Sequence, residues 1–205
     1  RETDLLRTHL ERMHVFVIDP TLSDYHHVHP IAGTNAGEYT FSFTPKSNGG
    51  YRVWIDLLPF ATRRDEMLSL DLGHFASGPL ARQIADVITN GSWRLKLNVD
   101  TTALRAGAGG GWAKLTVSDL DDVPCTRLEP IMANFAHFVG FHEDRQTVYH
   151  LHAAGMQDIV DPNLRSGPEV QLYLPALKAG FIRLFAQVQI DGRIITAPFG
   201  ISVQP

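Results

Sequence analysis

The chain has a single cysteine, Cys125, among 205 residues, so it can close no intrachain disulfide and build no cysteine-rich zinc site. Flanked by Pro124 and Thr126, that thiol reads as structural, and it gives no sign of an oxidising compartment. No apolar run approaches the roughly eighteen residues that a membrane-spanning helix needs. Basic runs are missing too. Lys and Arg number 18 against 22 Asp and Glu, for a formal charge of −4, and Arg63-Arg64 is followed at once by Asp65-Glu66. Without a basic stripe there is no footprint for a phosphate backbone, and nucleic acid is not an expected partner. No Ser-His-Asp order or nucleotide fingerprint can be read. The glycine-rich G-A-G-G-G (107–111) lies between two strand patterns rather than ahead of a helix, which makes it a hairpin connection. The chain opens R-E-T-D, with neither an initiator Met nor an apolar signal segment. The expectation is that a leader was removed or omitted, which is compatible with export.

What remains is ordinary globular composition: 44% apolar and 20% charged residues exclude wholesale disorder and a collagen-like fibre. Strand patterns dominate, at 38–43 (E-Y-T-F-S-F), 51–57 (Y-R-V-W-I-D-L), 93–99 (W-R-L-K-L-N-V), 112–117 (W-A-K-L-T-V), 170–174 (V-Q-L-Y-L) and 181–188 (F-I-R-L-F-A-Q-V). Their alternating aromatic and β-branched residues, separated by S-N-G-G, S-G-P and D-G, predict short antiparallel strands stacked as sandwiches. One segment, P-L-A-R-Q-I-A-D-V-I (79–88), could place Leu80, Ile84, Val87 and Ile88 on a helical face, or could be a linker.

Histidine is the residue used unevenly. Of ten, five fall in D-Y-H-H-V-H (24–29) and T-V-Y-H-L-H (147–152); His14 precedes His27 by thirteen positions, and His137 precedes His150 by the same step. Residues 14–29 lie over 137–152 without a gap, and 51–57 matches 181–188 once a seven-residue difference in the intervening loop is allowed. The chain therefore reads as two copies of one β-unit: domains 1–90 and 91–205. The strands at 93–99 and 112–117 have no counterpart before the first histidine set, so the first domain is expected to be incomplete.

Taking 13–19 and 24–30 as the arms of a hairpin, His14 faces His29 and Phe16 faces His27, which gathers His14, His27 and His29 on one sheet face. The equivalent hairpin sets His137 opposite His152 with His150 one step diagonal. Opposed Cβ atoms about 5 Å apart let three imidazoles reach one ion, although a one-residue register slip would scatter them. Neutral imidazoles suit copper, zinc or iron rather than Ca²⁺ or Mg²⁺. Copper comes first, because soft sulfur is at hand in Met13 and Met132. His9, Met13 and Met132 are thus candidate additional ligands beside His14, His27, His29, His137, His150 and His152. Outside these sets, His26 is expected to point to the opposite face and into solvent, His142 to be exposed beside a turn, and His74 to sit in a loop.

The run H-L-E-R-M-H-V-F-V-I-D-P-T-L-S-D-Y-H-H-V-H-P (9–30) resembles an uncharacterised family of bacterial exported tandem β-sandwich proteins, and 122–152 resembles the other half of the same architecture. The resemblance implies secreted or periplasmic immunoglobulin-like or cupredoxin-like domains associated with heavy metals, copper in particular. Carried over by position, His9, Met13, His14, His27 and His29 match its first motif, and His137, His150 and His152 its second. Leu10 and Glu11 replace the family's usual Glu and Lys, and Ala153 stands where Pro30 stands in the first copy. A blue-copper centre is not expected, since it needs a thiolate and Cys125 belongs to neither set.

The resulting expectation is an exported, non-catalytic protein that binds a metal ion for storage, buffering or delivery, with a metal-transfer protein and a second copy of the chain as candidate partners. The alternatives are a three-histidine oxygenase or hydrolase, which would need an acid–base group, and a structural or adhesion module.

Overall fold

The computed structural model describes residues 4–76, 78–100, 104–155, 158–176 and 178–205. Among the described residues there are fifteen strands and no helix, and every strand pairing is antiparallel. The chain divides into two compact units, Arg1–Ala81 and Arg82–Pro205.

The first unit holds β1 (Leu5–Leu6), β2 (Met13–Ile18), β3 (Tyr25–Val28), β4 (Ile31–Ala32), β5 (Tyr39–Thr40), β6 (Tyr51–Pro59) and β7 (Glu66–Leu72). Five strands make one sheet, with β2 between β3 and β6, and with β1 and β7 both along β6; β4 and β5 form a separate hairpin. Alternation along β2 and β6 sorts their side chains into two sets. Val15, Val17, Tyr51 and Val53 form a core on one face, with Met13, Val28, Phe43 and Ile55 packed against it. Each such aliphatic side chain removed from water contributes about 1.5–3 kcal/mol. The opposite face carries His14, Phe16 and Ile18 of β2 beside Asp56, Trp54 and Arg52 of β6. The strand expected over 38–43 pairs only at Tyr39–Thr40; beyond it Phe43 packs on the core without joining a ladder.

The second unit holds β8 (Val87–Asn90), β9 (Trp93–Val99), β10 (Gly110–Asp119), β11 (His137–His142), β12 (Val148–His152), β13 (Glu169–Pro175), β14 (Gly180–Ile190) and β15 (Arg193–Val203). Two four-stranded sheets, β13-β10-β9-β8 and β12-β11-β14-β15, make a sandwich. Its interior is filled from both sheets, by Leu95, Leu97, Leu115 and Val117 on one side and Phe138, Leu184, Ala186 and Phe199 on the other. The strict buried–exposed alternation of E-V-Q-L-Y-L in β13 follows from one face meeting that core and the other meeting solvent.

The helix considered over 79–88 does not form. Its backbone serves distant partners instead, with the Gln83 carbonyl accepting from Arg183 and the Asp86 carbonyl from the Leu97 amide, while Val87–Asn90 pairs with β9. Ile84 and Val87 are left exposed while Ile88 packs against the second unit's core, so these residues do not form one buried face. The strand at 193–203 was obscured by Pro198. β15 is an edge strand, where a residue without an amide proton leaves no ladder bond unmade.

Candidate metal centre

The first hairpin is closed by Asp19. Its carboxylate accepts from the Thr21 hydroxyl (2.6 Å) and the amides of Ser23 (2.8 Å) and Asp24 (2.9 Å), which ties the four-residue connection to the end of β2. That closure fixes the register, with Phe16 paired to His27 and Val15 to Val28, as the hairpin arithmetic required. His14 and His27 thereby share a face, and His29, just beyond β3, joins them. Ring centroids lie 5.4 Å apart for His14–His27, 4.9 Å for His14–His29 and 4.8 Å for His27–His29. One nitrogen from each ring lies within 4.8 Å of the other two, and the group could hold a metal ion.

Which nitrogens converge is decided by a backbone carbonyl. His14 Nε2 lies 3.1 Å from the Thr8 oxygen, and because a carbonyl only accepts, Nε2 must carry the proton. The lone pair is then on Nδ1, which faces the Nε2 atoms of His27 and His29 at 3.2 Å each. A tetrahedral ion with bonds of about 2.0 Å sets its ligand nitrogens about 3.3 Å apart, so these two separations fit one ion. Orienting a metal-binding imidazole through its other nitrogen to a backbone carbonyl is the usual outer-sphere arrangement.

The electrostatics favour the neutral form of two of these rings, His14 and His29. Burial pushes the pKa of His14 down to about 4; the Thr8 carbonyl and Asp56 oppose the shift, while positive charge on His29 or His9 adds to it. Burial lowers His29 as well. Deprotonated imidazole is the form that coordinates.

The Thr8 carbonyl is presented by a tight turn. Thr8 and Glu11 exchange both backbone hydrogen bonds, and His9 (φ 52°) and Leu10 (φ 75°) both adopt left-handed conformations. The same turn recurs 123 residues on, where Ile131 and Asn134 exchange bonds around Met132 (φ 50°) and Ala133 (φ 59°). Two tight turns of this unusual hand, both in non-glycine residues and each six residues ahead of a histidine, strengthen the reading of a duplicated unit.

In the second hairpin His137 pairs with His152 and Val139 with His150, again the expected register. Centroids lie 4.6 Å apart for His137–His150, 5.0 Å for His137–His152 and 4.6 Å for His150–His152. His137 Nε2 lies 2.6 Å from His150 Nε2, a hydrogen-bond separation and shorter than the roughly 3.3 Å that a tetrahedral ion sets between its ligand nitrogens. His137, like His14, is fully buried, and the other two rings are half-buried.

The additional candidates divide. His9 places its ring 6.0 Å from that of His14, edge to face, at the margin of the first set. Met13 is a correction. One step along the strand from His14, it points to the opposite face and packs against the Val15–Val53 core, so its sulfur is turned away from the histidines. Met132 occupies in the second turn the position His9 occupies in the first, half-buried.

Two other histidines differ from expectation. His142 is buried rather than exposed: its Nε2 donates to the Ala179 carbonyl (3.1 Å), leaving Nδ1 to accept from the Asp144 amide (3.1 Å). His26 does point away from His27, but its Nε2 lies 2.9 Å from Asp24 and its ring 5.0 Å from Phe43, so it is half-buried structure rather than a solvent group. His74 is exposed in a loop, as its lack of a duplicated partner suggested.

Sequence reading missed Asp56. It pairs with His14 across the β2–β6 ladder, and burial raises its pKa against the opposing influence of His14 and His9. The signal was present in Y-R-V-W-I-D-L, where alternation puts Arg52, Trp54 and Asp56 on one face, but using it requires the β2–β6 register. That register also corrects the repeat alignment. His14 pairs with Asp56 and His137 with Gln187, so the loop differs by eight residues rather than seven.

A family model described as "Domain of unknown function (DUF8832)" matches residues 1–64 and 89–205. The chain belongs to this family. No curated protein matches it. The matched DUF8832 segments contain both histidine sets, both left-handed turns, Asp56 and Gln187, while β7, His74 and the connection to β8 lie between them. Among the described residues no helix is long and apolar enough to cross a membrane.

Proposed function

We propose that this protein binds a transition-metal ion through its two three-histidine sets, copper first and zinc or iron as alternatives, and that it stores, buffers or hands on the ion in the periplasm or after secretion. The observation that carries this reading is at His14. A buried imidazole has its Nε2 proton committed to the Thr8 carbonyl, and its Nδ1 lone pair meets two further imidazole nitrogens at 3.2 Å. A merely structural module would have its histidines tied to backbone or carboxylate and remote from one another; here His14, His27 and His29 bring ring nitrogens within reach of one ion, and the rings of His137, His150 and His152 cluster with centroids 4.6–5.0 Å apart. Copper leads because divalent affinities for nitrogen sites peak at Cu²⁺, and because the resemblance of both histidine motifs points to copper-associated exported proteins. The thioether of Met13 plays no part in that preference. A metal-transfer protein is the partner this role calls for.

Metal analysis and calorimetry on the purified chain test the reading. One or two equivalents of Cu²⁺ or Zn²⁺ are expected, with loss in His27→Ala plus His29→Ala. Absence of binding at micromolar metal in the wild type would overturn it.

A further inference from the structure

Strand β7 (E-M-L-S-L-D-L, 66–72) lies along β6 and, among the described residues, pairs with no other strand. Its outer edge therefore presents backbone donors and acceptors that no ladder takes up. Register places Leu68, Leu70 and Leu72 beside Ile55, Val53 and Tyr51, on the face that carries the first unit's core. Val53 is fully buried, whereas the three leucines are 50%, 45% and 38% exposed, so the core face runs out to an open margin that is still apolar. A single exposed leucine is ordinary; a row of three along an unpaired edge marks a surface that something covers. Nothing in the strand blunts that edge. It holds no lysine and no proline, and Asp71 is tied back to Arg52 of β6 at 2.7 Å.

We propose that β7 pairs with β7 of a second copy of this chain, antiparallel about a two-fold axis through Leu70, so that the two first-unit sheets join into one. An axis through a residue of the strand keeps both copies' leucines on the same face. With the axis at Leu70, that residue meets the partner's Leu70, Leu68 meets the partner's Leu72, and Glu66 meets the partner's His74. On the other face Asp71 meets the partner's Ser69. Leucine is thus opposed to leucine, and each carboxylate to a side chain that can donate a hydrogen bond. The neighbouring axes fail. One at Ser69 sets Leu72 against the partner's Glu66, and one at Asp71 sets that carboxylate against the partner's Asp71. A single strand edge is a small interface, near or below the roughly 1,000 Å² that stable association needs, so the dimer dissociates on dilution. The pairing does not depend on the metal-binding reading, since β7 supplies no histidine to either set and lies between the segments matched by the family model.

Sedimentation equilibrium of the metal-free chain, from about 1 μM to about 1 mM, reads the association. Wild type is expected to pass from monomer to dimer across that range. Leu70→Lys sets two ammonium groups side by side on the axis and is expected to remain monomeric throughout, with a thermal melt alongside to show that it folds. Charge tests the register. Glu66→Lys loses the carboxylate that faces the partner's His74, and His74→Glu opposes two carboxylates; each is expected to weaken dimerisation by about threefold or more. Glu66→Lys combined with His74→Glu is expected to restore it. A wild type that stays monomeric overturns the proposal, as does a dimer that survives Leu70→Lys. Should Leu70→Lys fail to fold, the charge variants decide alone, and a double variant no better than its two single parents overturns the proposal.

Discussion

The Thr8 carbonyl lies 3.1 Å from His14 Nε2 and thereby decides which face of the His14 ring is available to a ligand. The contact joins a strained turn to a buried strand residue across six positions of sequence. Its consequences can be separated by substitution.

Replacing His14 by Gln keeps an amide that can donate towards Thr8 but removes the Nδ1 lone pair. Metal affinity is expected to fall by at least about 100-fold, the upper end of what losing even an outer-sphere partner costs. The far-ultraviolet circular dichroism of the metal-free chain should be unchanged. Calorimetric titration with Cu²⁺ or Zn²⁺ reads the first outcome; retention of full affinity would remove His14 from the ligand set.

Leu10 sits at φ 75° and is 48% exposed, so it bears the cost of a left-handed conformation without burying its side chain. That cost is roughly 1–2 kcal/mol for a non-glycine residue, against about 0.5–1 kcal/mol of extra chain entropy for glycine. Leu10→Gly is therefore expected to stabilise the protein by roughly 0.5–1 kcal/mol in urea denaturation, with metal affinity preserved because the Thr8 carbonyl stays in place. A fall in stability would show that the leucine side chain contributes contacts that outweigh the backbone.

Asp144 anchors the second hairpin's loop. Burial pushes its pKa up, but Lys178, the Gln146 amide, the Thr147 hydroxyl and His142 outweigh that, and the carboxyl ends below its ordinary value of 3.8. With the folded value depressed, the stabilisation is fully present above the ordinary carboxylate range and is lost as pH falls through 3.8 and below. Asp144→Asn should cost about 1–3 kcal/mol at pH 7, from the amides and hydroxyl left with a poorer acceptor, and about 1 kcal/mol less at pH 3, where the unfolded carboxyl is protonated but the folded one is still ionised. Thermal melts of both proteins at the two pH values provide the check, and a gap of the same size at pH 3 would assign the cost to packing.

The histidine convergence was legible because it depends on local quantities: the period of two along a strand and the length of a hairpin connection. Both hairpins obeyed. Met13 was misplaced by weighing its adjacency to His14 over that same period, which sends neighbours to opposite faces. Asp56 and Gln187 were out of reach, since placing them needs the partner strand and its register across a long connection. His142 was misjudged because acidic neighbours suggested a wet turn, whereas Asp144 folds back and the Ala179 carbonyl accepts a hydrogen bond from the ring N–H. The segment 79–88 had a plausible helical face, but its carbonyls are claimed by Arg183 and Leu97 from elsewhere in the second unit. Four of the sandwich strands were legible from alternation, but not their order in the sheets; β7, which has apolar residues exposed along an edge, did not advertise itself.

Asp19, whose carboxylate accepts four hydrogen bonds from the loop that follows it, does the gathering that in a zinc finger is left to the metal. The imidazoles meet because a peptide ladder brings them together, so the cost of assembling a coordination sphere is met during folding. An ion bound as proposed would then come and go from a container that keeps its shape, and a chelator would remove it without unravelling the protein.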